Sequence, residues 1–281
     1  MIDWSWELPP VPERLVLRRL AVHAEGCTLD AAEEVCGGGE VAADDVLDLL
    51  ARLVDRSLVI AADGKDGPRY RLLESVAAYR VERMAEAGET ESVHGRHLSY
   101  YTRLAETAEP ELRGPAQREW LARLDAESPK LRAALDRAAR RGEAEHALRL
   151  VDALAWYWVL RGRLGEAVRS TATALATAGT SADPVSDGVG APSGPVPGEA
   201  GTSSDPAPGL EALARLRARV AVWRTGLTVM SGDGTDRHGR IASALASVDA
   251  ASGAGTTGRA WARWFLAHAL CGTGARARAR T

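Results

Sequence analysis

Three spacings in this 281-residue chain bring together residue types that could do chemistry. Glu91, His94 and His97 fall three residues apart, which on a helix places a carboxylate and two imidazoles near one face, an arrangement able to hold a divalent metal. No companion cysteine or acidic cluster lies nearby in sequence, so histidines solvated or packed within a helix are the preferred reading. Gly37-Gly38-Gly39 and Gly232-Asp233-Gly234 are glycine-rich but lack the Lys and Ser/Thr with which a GxxxxGK(S/T) loop holds phosphate and magnesium, and each reads as a helix-terminating loop. Gly190 to Gly194 has the wrong spacing for a GxSxG nucleophile turn. Cys27, Cys36 and Cys271 give no disulfide framework, and the first two read as small buried apolar groups. No catalytic residues and no metal site emerge, and the chain is expected not to be an enzyme.

The elements that would position any working surface begin with a helix from Pro9 to Ala24, opened by prolines and carrying Leu15, Leu17, Leu20 and Val22 as core contacts. Thr28 caps a short second helix, Leu29 to Cys36, which the glycine run ends. From Ala43 to Asp55, Val46, Leu49, Leu50, Leu53 and Val54 fall at i, i+3, i+4, i+7 and i+8, the stripe of a core-facing third helix. Ser57 to Ala61, the turn-rich Asp63 to Pro68, and Arg69 to Leu72 read as strand, turn and strand. A further helix with Leu73, Val76, Ala77 and Met84 on one side closes at Gly88. Three helices and a β-hairpin predict a winged helix over residues 1–89.

Residues 90–178 read as successive helices, with Leu98, Tyr101, Ala105 and Ala108 on one face, Leu131, Ala134, Leu135 and Ala138 on another, and breaks at Pro110, Gly114/Pro115, Pro129 and Gly142. Between 148 and 175, Val151, Ala155 and Trp158 precede a turn at Gly162, and Ala167 and Ala174 follow it. Small residues at these offsets let two antiparallel helices approach closely, the tetratricopeptide spacing. Residues 179–209 hold 7 Gly, 6 Pro and 5 Ser, too little apolar bulk to offset ordering entropy, and read as a disordered linker. Helical pattern resumes over 210–281. In its last helix Ala267 and Leu270 precede an expected turn at Gly274, with Ala279 in a following helix, and Trp261, Trp264 and Phe265 read as repeat surface without its partner, as in a truncated array. The fold class is thus mainly α, a winged helix followed by a tetratricopeptide-like helical array.

The chain carries a net charge of −3, concentrated in its acidic N-terminal third, and has no basic excess of the kind bulk nucleic-acid binding needs. The sequence after Met1 has no signal-peptide character, and the apolar run Val151 to Leu160 is too short for a membrane span, so a cytoplasmic protein with no membrane partner is expected. A DNA-reading helix needs Arg, Lys, Asn, Gln or Ser where its N-terminal residues meet bases and phosphates. The third helix has Asp44, Asp45 and Asp48 there, which argues against direct DNA binding.

A family resemblance rests on Ile2-Asp3-Trp4-Ser5-Trp6-Glu7-Leu8, Arg18 to Val22, Thr28 to Glu33, Leu47 to Val59 and Tyr70 to Val76. These runs resemble the bacterial STAND-class ATPase regulators of the large LuxR-type and antibiotic-regulator (SARP) type, over roughly residues 2–178. The resemblance implies an order of effector domain, P-loop ATPase, this winged helix and then tetratricopeptide-like repeats, with the winged helix contacting the nucleotide domain. ATP or ADP would enter only through an ATPase domain of the parent protein, and no cofactor is implied for this chain. Related STAND proteins place a Met-His-Asp phosphate-sensing motif just after the wing, and the matching positions here are Leu72, Leu73 and Glu74. Leu73 cannot donate a hydrogen bond, and only Glu74 keeps comparable chemistry.

The function expected is a non-catalytic regulatory part of such a transcriptional regulator, partnered by protein or by an ATPase domain of its own chain. Trp156, Tyr157 and Trp158 are the candidate partner site, set against the reading that they are repeat core. The alternatives are a stand-alone winged-helix transcription factor that binds DNA, or an interaction scaffold of repeats.

Overall fold

The computed structural model describes residues 9–23, 25–64, 67–72, 81–180, 208–232, 236–250 and 256–278. The chain is mainly helical, with one small sheet near its start, and forms two compact units, Met1–Arg137 and Ala138–Thr281. The boundary expected at residue 89 falls inside the first unit. No described helix is long and apolar enough to cross a membrane.

The first unit opens with α1 (Val11–Arg19), which Pro10 precedes, and runs on through a 3-10 turn, Leu20–Val22. A two-residue strand β1 (Cys27–Thr28) leads into α2 (Leu29–Cys36), where Thr28 Oγ1 accepts from Ala31 N at 3.4 Å as the capping residue the sequence predicts. A 3-10 turn, Ala43–Asp45, enters α3 (Val46–Asp55). The predicted stripe of α3 is the buried one: Val46, Leu49, Leu50 and Leu53 pack with Val16 and Leu17 of α1 and Ala31 and Ala32 of α2. Each such leucine contributes on the order of 2 kcal/mol of burial. β2 (Val59–Gly64) and β3 (Gly67–Leu72) form the hairpin, and β1 pairs antiparallel with β3 to give the order β1-β3-β2. Gly26 makes that third strand possible. Its φ is +88°, and a Cβ there would lie 2.7 Å from Tyr70 O.

Residues 81–86 are helical and Gly88 turns the chain at φ +68°. Two long helices complete the unit, α4 (Thr90–Glu111) and α5 (Gln117–Arg141). Leu98, Tyr101, Ala105 and Ala108 are buried on α4, as are Leu131, Ala134 and Leu135 on α5, so both predicted faces point inward. α4 ends at Glu111, one residue past Pro110 and close to the expected break, whereas Pro129, contrary to expectation, lies inside α5. Pro110 sits in the last turn of α4. At Pro129 burial on both sides, at Leu124 and Leu131, outweighs the roughly 3 kcal/mol that an internal proline costs.

The second unit comprises α6 (Ala144–Arg161), α7 (Leu164–Thr180), α8 (Pro208–Met230), α9 (Arg237–Ala250) and α10 (Thr256–Arg278). Gly162, left-handed at φ +67°, closes α6 and turns directly into α7. The segment read as a linker is thus helical at its edges, and 181–207 lie outside the described residues. The turn expected at Gly274 is absent because α10 runs through it; one glycine among alanines and arginines costs about 1 kcal/mol, too little to end a helix. Ala279 lies outside the described residues.

α8 is the central helix, packed by α6, α7, α9 and α10. Phe265 of α10 is fully buried, and its ring lies where a Cβ on Gly226 of α8 would stand. On an exposed helix Gly→Ala stabilises by up to about 1 kcal/mol. Gly226→Ala is expected to do the reverse, lowering the urea midpoint read by tryptophan fluorescence, while the further change Phe265→Leu restores part of the loss.

Candidate interaction surface of the winged helix

With the stripe of α3 buried, its other side faces solvent. Asp44, Asp45, Asp48, Asp55, Ala51 and Arg52 are exposed there, around Leu47, which is 44% exposed. Arg56 pairs with the buried Glu13 at 3.2 Å, which leaves Arg52 as the free-standing cation of the face among the described residues. Carboxylates in the first turn suit the helix dipole, but each also repels a phosphate by about 1 kcal/mol at 4 Å in water. The exposed side of α3 is thus a carboxylate patch with Leu47 at its edge, next to the buried stripe.

The wing follows the same logic. Arg69 of β3, a cation that could have met a phosphate, turns instead onto Glu127 of α5, Nη1 to Oε1 at 2.7 Å. Burial alone would lower the pKa of Arg69, but the hydrogen bond and the charge of Glu127, with smaller contributions from Tyr101 and Cys27, together outweigh it and raise the pKa. Arg71 remains exposed on β3, and Lys65 lies outside the described residues.

Glu127 is the hub of a buried polar cluster. It is 3% exposed, and besides Arg69 it takes Lys130 Nζ at 3.2 Å and the Tyr101 hydroxyl at 3.3 Å. Lys130, 1% exposed, has its pKa lowered by burial, against which Glu127 pulls back. The Tyr101 hydroxyl also lies 3.5 Å from His23 Nδ1, and the His97 ring packs against both, its centroid 4.6 Å from that of Tyr101 and 5.3 Å from that of His23. Burial, then the charges of His94, Lys130 and Arg137, pushes His97 down to about 3. His23 falls well below its ordinary value by burial, then by His97, Lys130 and Arg69. Both imidazoles are therefore neutral at physiological pH.

A second cluster sits at the start of α4. Arg18 and Arg19 of α1 both reach Glu89, at 2.7 and 2.6 Å, and Arg19 Nη1 also donates to Cys36 O and Gly38 O. Burial would raise the Glu89 carboxyl, but its hydrogen bonds to Arg19 and Arg18 hold it below the usual range. Arg96 Nε donates to Val35 O at 2.9 Å, tying α4 to α2.

The residues singled out from sequence fare unevenly. Leu72 ends β3, half-buried beside the core, while Leu73 and Glu74 lie outside the described residues. Of the aromatic triplet on α6, Tyr157 and Trp158 are buried and Trp156 is half-buried, its ring 6.4 Å from those of Trp223 and Trp264. The Tyr157 hydroxyl accepts from Arg163 at 2.8 Å. Trp264 is 56% exposed and Phe265 fully buried, so the apolar surface expected on α10 is only partly open. His97 turns inward while Glu91 pairs with Arg137 at 3.1 Å, and among the described residues no three His, Cys, Asp or Glu are grouped to hold a metal. Cys27 and Cys36 are buried free thiols, Cys27 raised to about 12 by burial first of all. The Glu127 cluster was missed, although a signal exists: the apolar period of α5 runs Leu124, Leu131, Leu135 and puts Glu127 on the same side.

A family model for the winged helix-turn-helix domain matches residues 11–85. A Mycobacterium tuberculosis H37Rv protein named "Putative HTH-type transcriptional regulator" is 39% identical over 165 residues, 59% of this chain and 18% of its own length. A protein of the same name in Mycobacterium bovis matches equally, and an "Uncharacterized protein" of Mycobacterium tuberculosis H37Rv is 38% identical over 100 residues, 35% of this chain and 25% of its own. The chain thus spans less than a fifth of the length of the named regulators it matches. No solved structure gives a significant match.

Two outcomes follow from the buried cluster. Glu127→Gln strands Lys130 and Arg69 against a neutral amide and is expected to cost about 3–5 kcal/mol in urea unfolding of the full chain. Because His23 and His97 have depressed folded-state pKa values, the unfolded chain binds protons that the folded chain refuses below pH 6.5. Stability is therefore lost as pH falls from about 6.5 toward 3, by up to about 1.4 kcal/mol per pH unit for each histidine. Denaturant midpoints between pH 7.5 and 5 should show that slope, and His97→Gln should flatten it.

Proposed function

We propose that this chain is a non-catalytic regulatory segment of a STAND-type transcription regulator, its winged helix docking on a nucleotide-binding domain and its second unit receiving protein or ligand signals. The winged helix-turn-helix match and the relatives named as transcriptional regulators support a role in controlling transcription. The observation that carries the docking reading is the outward face of α3, with four exposed aspartates around Leu47 while the wing's Arg69 is committed to Glu127. Any ATP or ADP would belong to the partner domain. Of Leu72, Leu73 and Glu74, the positions that match the sensing motif, only Glu74 keeps chemistry with which this chain could contact it.

A second reading has the comparisons in its favour. The helix-turn-helix name of the matched family and of the relatives suggests a winged helix that itself binds DNA. It would have to do so through Arg52, Arg71 and the wing tip, past the aspartates of α3.

The two readings separate in one titration. Fluorescence anisotropy of the full chain against promoter fragments of the host, at physiological salt, is expected to show nothing tighter than the roughly 10⁻⁴–10⁻⁶ M of non-specific binding. A fragment bound with nanomolar affinity, with Arg52→Ala weakening it and reducing its salt dependence, would establish the DNA-binding reading instead.

A further inference from the structure

In the second unit, α7, α8 and α9 enclose a groove of about 930 Å³. Its floor is made of small residues. Ala214, Ala218 and Ala221 recur on α8 at i, i+4 and i+7, on the side of the helix away from the buried Trp223, and Leu175 and Ala176 of α7 face them. Such a floor admits the close approach of another helix and offers no hole for a single large side chain.

The charge at its edge is what selects an occupant. α8 carries four arginines. Arg215 pairs with Glu211 at 3.4 Å and Arg219 with Asp152 at 2.9 Å. Arg217 and Arg224, the two that line the groove, are exposed and take no ion pair among the described residues. They stand seven residues apart, about 10 Å along the helix axis. Residues 208–281 contain eleven arginines against four Asp and Glu, so this part of the chain has few carboxylates to offer them.

We propose that the groove docks an acidic helical segment of a partner protein, its small or apolar residues on the alanine floor and two carboxylates, seven residues apart, on Arg217 and Arg224. The matched spacing follows from both rods having the same rise per residue. Exposed ion pairs are individually weak and salt-screened, so the interaction is of modest affinity and falls as ionic strength rises. This holds whichever partner the winged helix takes.

The probe is a labelled, capped helical peptide with Glu at every seventh position beside an Ala/Leu face, titrated with the full chain by fluorescence anisotropy. Micromolar binding is expected, weakened at least tenfold in Arg217→Gln/Arg224→Gln and in Ala218→Phe, which fills the floor without touching a charge. The same peptide with Lys for Glu should not bind. Circular dichroism of both variants confirms that they fold. Absence of binding to millimolar peptide overturns the proposal, as does equal affinity for wild type and the arginine variant, or displacement of the peptide by an equimolar single-stranded oligonucleotide. Residues 181–207 carry Asp183, Asp187, Glu199 and Asp205 with no Lys or Arg. Neutralising those four is expected to leave the affinity unchanged; a tenfold gain would make that stretch the groove's occupant and overturn the partner proposal.

Discussion

A carboxylate cannot stay ionised inside a protein unless cations and donors replace the water it lost, and much of the first unit is arranged to meet that condition at Glu127. Its three partners come from three elements: Arg69 from β3, Tyr101 from α4 and Lys130 from its own helix, α5. Satisfying Glu127 therefore requires the hairpin and both long helices to be in place together. This is a physical reason why the compact unit runs to Arg137 and does not end with the winged helix. A buried ionic cluster of this kind adds little net stability over an apolar equivalent, because desolvation consumes most of the Coulombic gain. What it specifies is arrangement, since only one placement of β3 against α5 pairs every charge.

The Glu89 clamp repeats the device at the other end of the same interface. Two guanidiniums from adjacent positions on α1 converge on one carboxylate at the start of α4, and Arg19 continues into the carbonyls of Cys36 and Gly38 at the end of α2. The Cys36 carbonyl is among the orphan acceptors that every helix C-terminus leaves, so one side chain helps close α2 and joins it to α4. The winged helix is held to α4 and α5 at both edges of its core.

What was legible in the sequence was whatever repeats locally. The stripe of Val46, Leu49, Leu50 and Leu53, the Thr28 cap and the glycines at 88, 142 and 162 each state their structure within a few residues, and each stands where the pattern puts it. β1 was not legible, because two residues carry no alternation and its pairing is with a strand some forty positions on. Pro110, Pro129 and Gly274 read as stops because their local cost is real; α4 ends one residue past Pro110, whereas helices pass through Pro129 and Gly274 because that cost is smaller than the packing or propensity around them. The aromatic triplet misleads in another way: neighbours in sequence are about 100° apart on a helix, so Trp156, Tyr157 and Trp158 cannot present one face, and two of the three are core. The buried Glu127 cluster needed the tertiary fold to be seen, since charge within an apolar period looks like surface until the partner strand arrives.

Electrostatics within the chain set the order in which partners can be read. The outward side of α3 is acidic, and the wing's buried-side arginine has been withdrawn into an ion pair. Residues 208–281 hold eleven arginines against four Asp and Glu, and several of those arginines are exposed. A polyanion brought to α3 meets its exposed carboxylates, which work against the phosphate contacts that base reading needs. A basic surface brought to α3 meets those carboxylates, with the exposed Leu47 and Ala51 beside them for apolar contact. A protein surface can offer that combination of cations around an apolar patch, whereas a duplex offers phosphates at every approach. A DNA-binding role has to place its phosphate contacts on exposed cations such as Arg52 and Arg71, and a docking role has to place its partner's cations on the carboxylates beside Leu47.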